Sequence, residues 1–420
     1  MNRINMLRPS AALIVAASLM ACGDGKGAGK ADTGVAADTA ADSAAASETI
    51  AEADTAAPSD TVVVADTATD SAATTVAETT PGETQVGTCS EADLAACEYA
   101  NLGLAYAEFD GITTTEPRTG RSLPLHIRVP TTPGPLPVVL WSHGGGFTAG
   151  GQLNSDDWGD LLAKHGYVVI HVGHAELGLG GAQKLCELAS VPAAECVPSA
   201  DEDNNGLLAI GRSYDLAAVL DDLPRLSQLS VANGGPALDL ARVALGGWSG
   251  GSRGPMVLMG AKVQPTASAP IFTNPHARPV AAMFMSPAGP GFGGWYETAS
   301  DNSWIDMRGP TFTATGTHDQ KPDKPELTGA IRRMSYPLQP DDGKRVMLYS
   351  NLPVGVGGHG TYDLQDTGSN DARLDRLSRA IGSVACAFLD ASVDGNADAR
   401  AWLLTDHARI LAGDAEWLRR

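Results

Sequence analysis

The chain has 420 residues and a net charge of −20, with 49 acidic against 29 basic side chains. Residues 23–87 hold 12 acidic and 2 basic residues, so the body from 88 onward keeps a net charge near −12. That balance, with no basic cluster and no basic–aromatic interleaving, excludes nucleic acid as the natural partner.

The first segment reads as an export signal. Arg3 and Arg8 precede a short apolar stretch at 11–20 (AALIVAASLM), too short to span a bilayer as a helix. It ends in Leu19-Met20-Ala21-Cys22, which resembles a bacterial lipobox. Cleavage after residue 21 would leave Cys22 as a lipidated N-terminus and the membrane as partner through its acyl chains. Gly23, in place of an acidic residue directly after the cysteine, points to an outer-membrane or cell-surface destination. Residues 22–87 are rich in Ala, Thr, Asp and Ser; past Cys22 they lack Phe, Trp, Tyr and Leu. Such a stretch cannot bury enough apolar area to offset its ordering entropy, so it reads as a disordered tether.

Residues 88–420 read as one α/β domain. Apolar strands are expected at Pro137–Ser142, Tyr167–Val172, Ala241–Trp248, Val280–Ser286, Thr311–Thr315 and Arg345–Ser350. Helices are expected at Ser155–His165, closed by Gly166, within Gly206–Leu226, from Ser252 towards Lys262, and at Ala372–Leu389. This alternation implies a mostly parallel sheet covered on both faces. Cys89 and Cys97, and Cys186 and Cys196, are spaced as local disulfides of an oxidising compartment, while Cys386 reads as a buried thiol. Paired Cys-x-x-Cys spacing is absent, so no zinc site is expected. The Asp201–Gly206 run opens like a calcium loop, but Arg212 stands at its twelfth position where Glu is needed, and a solvated loop is the better reading. No metal or cofactor is called for.

Gly247-Trp248-Ser249-Gly250-Gly251 lies between an expected strand and an expected helix. This is the Gly-x-Ser-x-Gly nucleophile elbow in the context that gives it meaning. Ser142-His143-Gly144-Gly145-Gly146-Phe147 follows the first buried strand, and its backbone N–H groups, with that of Gly250, can form an oxyanion hole. His143 reads as a brace of that loop. A serine nucleophile needs a base and an orienting acid. Asp319 follows one late strand and His359 the next, giving the chain order Ser249, Asp319, His359; Asp323 is the reserve acid and His318 the rival base. His171 and His174 read as packing or lining residues.

Several stretches resemble a known group: Leu136–His174, Arg212–Leu223 (RSYDLAAVLDDL), Arg242–Gly251 and Gly309–Asp319. They are similar to dienelactone-hydrolase-like and cutinase-like polyester hydrolases and to bacterial relatives of platelet-activating-factor acetylhydrolase. The resemblance covers most of 120–390. It implies the α/β-hydrolase fold, the Ser249–Asp319–His359 triad and, in those families, an oxyanion donor at Phe147. A lipase-type register would instead use Gly145 and Gly146, and both remain open. Dienelactone hydrolase proper carries a cysteine nucleophile, so the serine shifts the expectation to a serine carboxylesterase acting on a small or polymeric ester. A peptidase on the same fold and an inactive surface binding protein are the alternatives. Two insertions, near 175–205 and 288–308, would border the site. Phe147, Trp248 and Trp295 are the expected substrate contacts, although the aromatic residues of 288–308 could equally be ordinary packing.

Overall fold

The strand sequences explain the sheet. Leu136–Ser142 and Val168–Val172 are buried at every position, with no polar face, as strands covered on both sides must be. A computed structural model describes residue 89 and residues 94–196, 206–297, 302–321, 325–353, 356–405, 407–411 and 413–420. The expected signal, Cys22 and the 22–87 tether lie outside the described residues, as do Asp201–Asn205 of the acidic loop and Asp323.

In chain order the elements are α1 (Leu94–Cys97), β1 (Tyr106–Thr115), β2 (Ser122–Pro130), β3 (Leu136–Ser142), α2 (Asp156–His165), β4 (Val168–Val172), α3 (Gly178–Leu188), α4 (Leu207–Ala232), β5 (Leu238–Trp248), α5 (Arg253–Leu258), β6 (Ala281–Met285), β7 (Thr311–Gly316), α6 (Gly329–Arg333), β8 (Arg345–Ser350), α7 (Ala372–Ser392), α8 (Ala397–Thr405), α9 (His407–Leu411) and β9 (Ala415–Arg419). Among the described residues these strands form one sheet in the order β1-β2-β4-β3-β5-β6-β7-β8-β9. The run from β4 to β8 is parallel; β1, β2 and β9 join antiparallel at the edges. The chain is thus an α/β protein with a mixed, mostly parallel sheet.

Alternation along each strand divides the core in two. Val138, Leu140, Val243, Leu245 and Phe284 face one layer, with α3, α4 and α5. Val139, Trp141, Ala244, Met283 and Phe312 face the other, with α2 and α7–α9. On the second face Trp141 stacks on Trp158 of α2 at 4.8 Å between centroids. Gly246 makes room for that indole: a β-carbon there would lie 2.4 Å from the Trp141 ring.

The expected helices are present with adjusted ends. Gly166 closes α2 at φ 115°, its N–H bonded to Ala163 and Leu162. The α4 helix runs past Leu226 to Ala232 and carries Pro224 inside it. After Ser249 comes a short 3₁₀ turn, Ser249–Ser252, and α5 stops at Leu258, well before Lys262. Gly260 ends it, at φ 109° and pressed so close to Asp306 O that a side chain has no room.

Both expected disulfides are formed, Cys89–Cys97 and Cys186–Cys196, while Cys386 is buried and unpaired with another cysteine. The second bridge ties the end of α3, a helix within the expected 175–205 insertion. Ala182, Leu185 and Cys186 make its buried face. Among the described residues no helix is long and apolar enough to cross a membrane.

Candidate functional site

The site begins at a reversal in the strand order. From β3 the chain passes through α2 to β4 on one side; from β5 it passes through α5 to β6 on the other. The two strands are neighbours, with Ser142 opposite Gly247. Their outgoing loops therefore diverge and leave a crevice at the carboxyl ends, where open α/β sheets place ligands.

Ser249 stands at that crevice. Its φ of 54° puts a residue with a side chain in the left-handed region, a strained conformation of order 1–3 kcal/mol that the surroundings must hold. They do so by close backbone approach. A β-carbon on Gly251 would sit 2.0 Å from Ser142 O, and one on Gly250 2.5 Å from Gly145 O. Ser252 Oγ clamps the turn from beneath, donating to Gly247 O at 2.8 Å and Met285 O at 3.0 Å.

His359 Nε2 lies 2.7 Å from Ser249 Oγ, and His359 Nδ1 lies 2.7 Å from Asp319 Oδ1. The residues come from the ends of β5, β7 and β8, separated by 110 and 40 positions along the chain. A neutral imidazole that donates from Nδ1 to the carboxylate leaves Nε2 to accept the serine proton. Such an arrangement can supply a nucleophile, a base and an orienting acid. Trp248 fixes the imidazole from behind: its ring centroid is 4.9 Å from that of His359, and its Nε1 donates to His359 O at 3.1 Å.

Asp319 is fully buried and held on several sides. Thr315 donates to Oδ2 at 2.6 Å and Ser286 to Oδ1 at 2.8 Å. Arg332 is ion-paired with Oδ1 at 3.3 Å and donates to the Asp319 carbonyl at 3.2 Å. Its Nη1 also donates to Ser286 O at 2.8 Å. Ser286 Oγ sits 2.9 Å from His359 Nδ1 as well, on a residue with φ 52° just past β6. Sequence reasoning missed Ser286 and Arg332. Ser286 could have been found, since it follows a parallel strand at the same edge of the sheet as Ser249; Arg332 carries no local motif.

The Ser142–Phe147 loop is held by Arg212, a fully buried residue of α4. Its guanidinium donates to Ser142 Oγ at 3.0 Å, to His143 O, and to Gly145 O and Gly146 O at 2.6 Å each. His143 is buried, with Nδ1 2.6 Å from Gly144 O and its ring against Gly151, so it braces the loop as expected. Burial and the Arg212 charge hold its pKa well below the ordinary histidine value. His171 is likewise packing, bonded to Asn154 O at 3.1 Å and pushed down to about 3 by burial.

The expected substrate contacts divide. Trp248 is half-buried beside His359. Phe147 is 8% exposed, its ring under the Arg121 guanidinium at 5.0 Å. Trp295 is only 2% exposed and stacks on buried Trp304 at 5.5 Å, so packing is the role the structure gives these two indoles. Phe292 and Tyr296 of the same loop are the half-buried ones, bordering an open depression of about 480 Å³ with Gln264 and Glu326. That loop adjoins the site through α4. Gly206 packs on Gly293 and Gly294, and Leu208, two residues on, reaches Gly250.

Among the described residues no cluster of His, Cys, Asp and Glu is arranged to hold a metal ion. No protein-family model matches the sequence, and no curated protein matches it either.

Proposed function

We propose that this chain is a serine hydrolase of the α/β-hydrolase type that cleaves carboxylic esters through an acyl-enzyme. The observation that carries the reading is the His359 imidazole set 2.7 Å from both Ser249 Oγ and Asp319 Oδ1. The strand order and the strained serine between β5 and α5 support the same fold type.

In this reading Ser249 Oγ attacks the ester carbonyl while His359 Nε2 takes its proton. Asp319 keeps the imidazole oriented and stabilises its charged form. The Gly250 N–H and N–H groups of the Gly145–Phe147 loop receive the oxyanion. His359 then protonates the departing alcohol, and water repeats the sequence to release the acid. Every step uses groups of this chain and water, with no cofactor. Residues 1–21 and Cys22 complete the proposal from sequence alone, as an export signal and lipid anchor that would hold the hydrolase at the cell envelope.

The test is a panel of para-nitrophenyl esters from acetyl to palmitoyl, with matched anilides. Ester turnover is expected to exceed anilide turnover. A maximum at short chains would define a carboxylesterase of small esters; a maximum at long chains would bring the Phe292–Tyr296 depression into use. Anilide cleavage exceeding ester cleavage would make the protein a peptidase, and no turnover by the folded protein would leave a binding role.

A further inference from the structure

A second Ser–His–Asp chain lies beneath the first. Ser142 Oγ is 2.8 Å from His174 Nε2, and His174 Nδ1 is 2.8 Å from Asp215 Oδ2. All three residues are fully buried, so this serine is beyond the reach of any substrate. Arg212 Nη1 adds a bond to Ser142 Oγ, and Arg121 Nη2 closes the far end on Asp215 Oδ1.

A guanidinium only donates, so Ser142 Oγ accepts from Arg212. Asp215, ion-paired with Arg121, accepts from His174 Nδ1. A neutral His174 then presents a bare Nε2, to which Ser142 Oγ donates. Burial and the flanking arginines hold the His174 pKa well below its ordinary value, in keeping with that state. The chain has one consistent direction, from Arg212 through Ser142 and His174 to Asp215.

Its product is the orientation of the loop above. Arg212 takes the carbonyls of His143, Gly145 and Gly146. In a planar trans peptide the next N–H points opposite to the carbonyl. The Gly146 and Phe147 N–H groups are therefore turned away from the guanidinium. Phe147 is held further by its ring under Arg121, the same arginine that ends the chain on Asp215.

We infer that Arg212, fixed by the buried Ser142–His174–Asp215 chain, is a positioning residue that sets the oxyanion-binding N–H groups of the Gly145–Phe147 loop. The inference rests on the ester-hydrolase reading and extends it. Arg212 and Asp215, three residues apart on α4, thus belong to one device.

The experiment uses the full chain with Arg212→Lys, which keeps the charge but cannot serve four acceptors. The probe is an alkyl trifluoromethyl ketone, which adds to a serine hydroxyl and leaves an oxyanion. The variant is expected to remain folded, to keep KM within about threefold, and to lose about 10²–10³ in kcat, as removal of one oxyanion donor does. The inhibition constant of the ketone should rise in parallel. A folded variant with near-normal kcat overturns the inference, and so does a fall in kcat that leaves ketone affinity unchanged. If Arg212→Lys does not fold, Ser142→Ala decides: it frees one donor and is expected to lower kcat and ketone affinity together by about 5–20-fold. Unchanged values for that variant overturn the inference. Absence of any ester turnover or ketone binding in the unaltered protein would overturn the hydrolase reading itself, a result distinct from all of these.

Discussion

Replacing Ser249 by alanine is expected to lower kcat on a good ester substrate by about 10⁵–10⁶, with KM nearly unchanged. The size follows from what is removed. The hydroxyl oxygen is the atom that would bond to the acyl carbon, and it lies 2.7 Å from His359 Nε2 with a proton to give. The residual rate would come from the oxyanion donors acting on water. The fold should survive, because alanine can occupy the left-handed backbone about as well as serine and the Oγ–His359 bond spans the open crevice. Thermal unfolding within a few degrees of the unaltered protein, together with steady-state kinetics, checks both halves. A variant that retains more than a hundredth of the activity would remove Ser249 from the mechanism.

His359→Ala is expected to cost a similar factor, about 10⁵–10⁶ in kcat, and the double variant Ser249→Ala/His359→Ala should be no more than about tenfold worse than either. The two side chains act as one unit: without the base the hydroxyl stays protonated, and without the hydroxyl the base has no proton to accept. The loop should keep its place, since Trp248 Nε1 holds the His359 backbone carbonyl rather than its ring. Losses that multiply in the double variant would show the residues working separately and would contradict a shared proton transfer.

Much of this was legible in the sequence where the physics is local. The strands β3, β4 and β8 announce themselves as short apolar runs, and Gly166 marks a helix end by the backbone it permits. The candidate trio could be named because each member follows a parallel strand, and strand ends are visible in sequence. The antiparallel edges were not legible. Strand β1 (YAEFDGITTT) is half exposed and interrupted by a register shift between Phe109 and Ile112, so no clean period of two survives. Strand β9 has only five residues.

The support of the site was the least legible part. Arg212 presented itself as the residue that spoils a calcium loop and as the start of a stretch resembling known hydrolases, neither of which shows what it holds, and Arg332 carries no local signal at all. Each works through carbonyl oxygens contributed by distant segments: Ser142–Gly146 in the first case, Ser286 and Asp319 in the second. A buried guanidinium is tolerated only where enough acceptors surround it. That condition belongs to the assembled fold and leaves no trace in local spacing. The aromatic loop shows the reverse. Its four rings looked alike in sequence, but two were drawn into the core as a stacked pair and two were left at the surface.

The central claim is that Ser249 is the activated nucleophile, and covalent labelling tests it most directly. The protein would be treated with a fluorophosphonate probe at neutral pH, digested, and mapped by mass spectrometry, beside the His359→Ala variant. The account predicts one adduct, on Ser249, and its near-complete loss in the variant. An unmodified Ser249 in folded protein, or labelling that persists without His359, would contradict it.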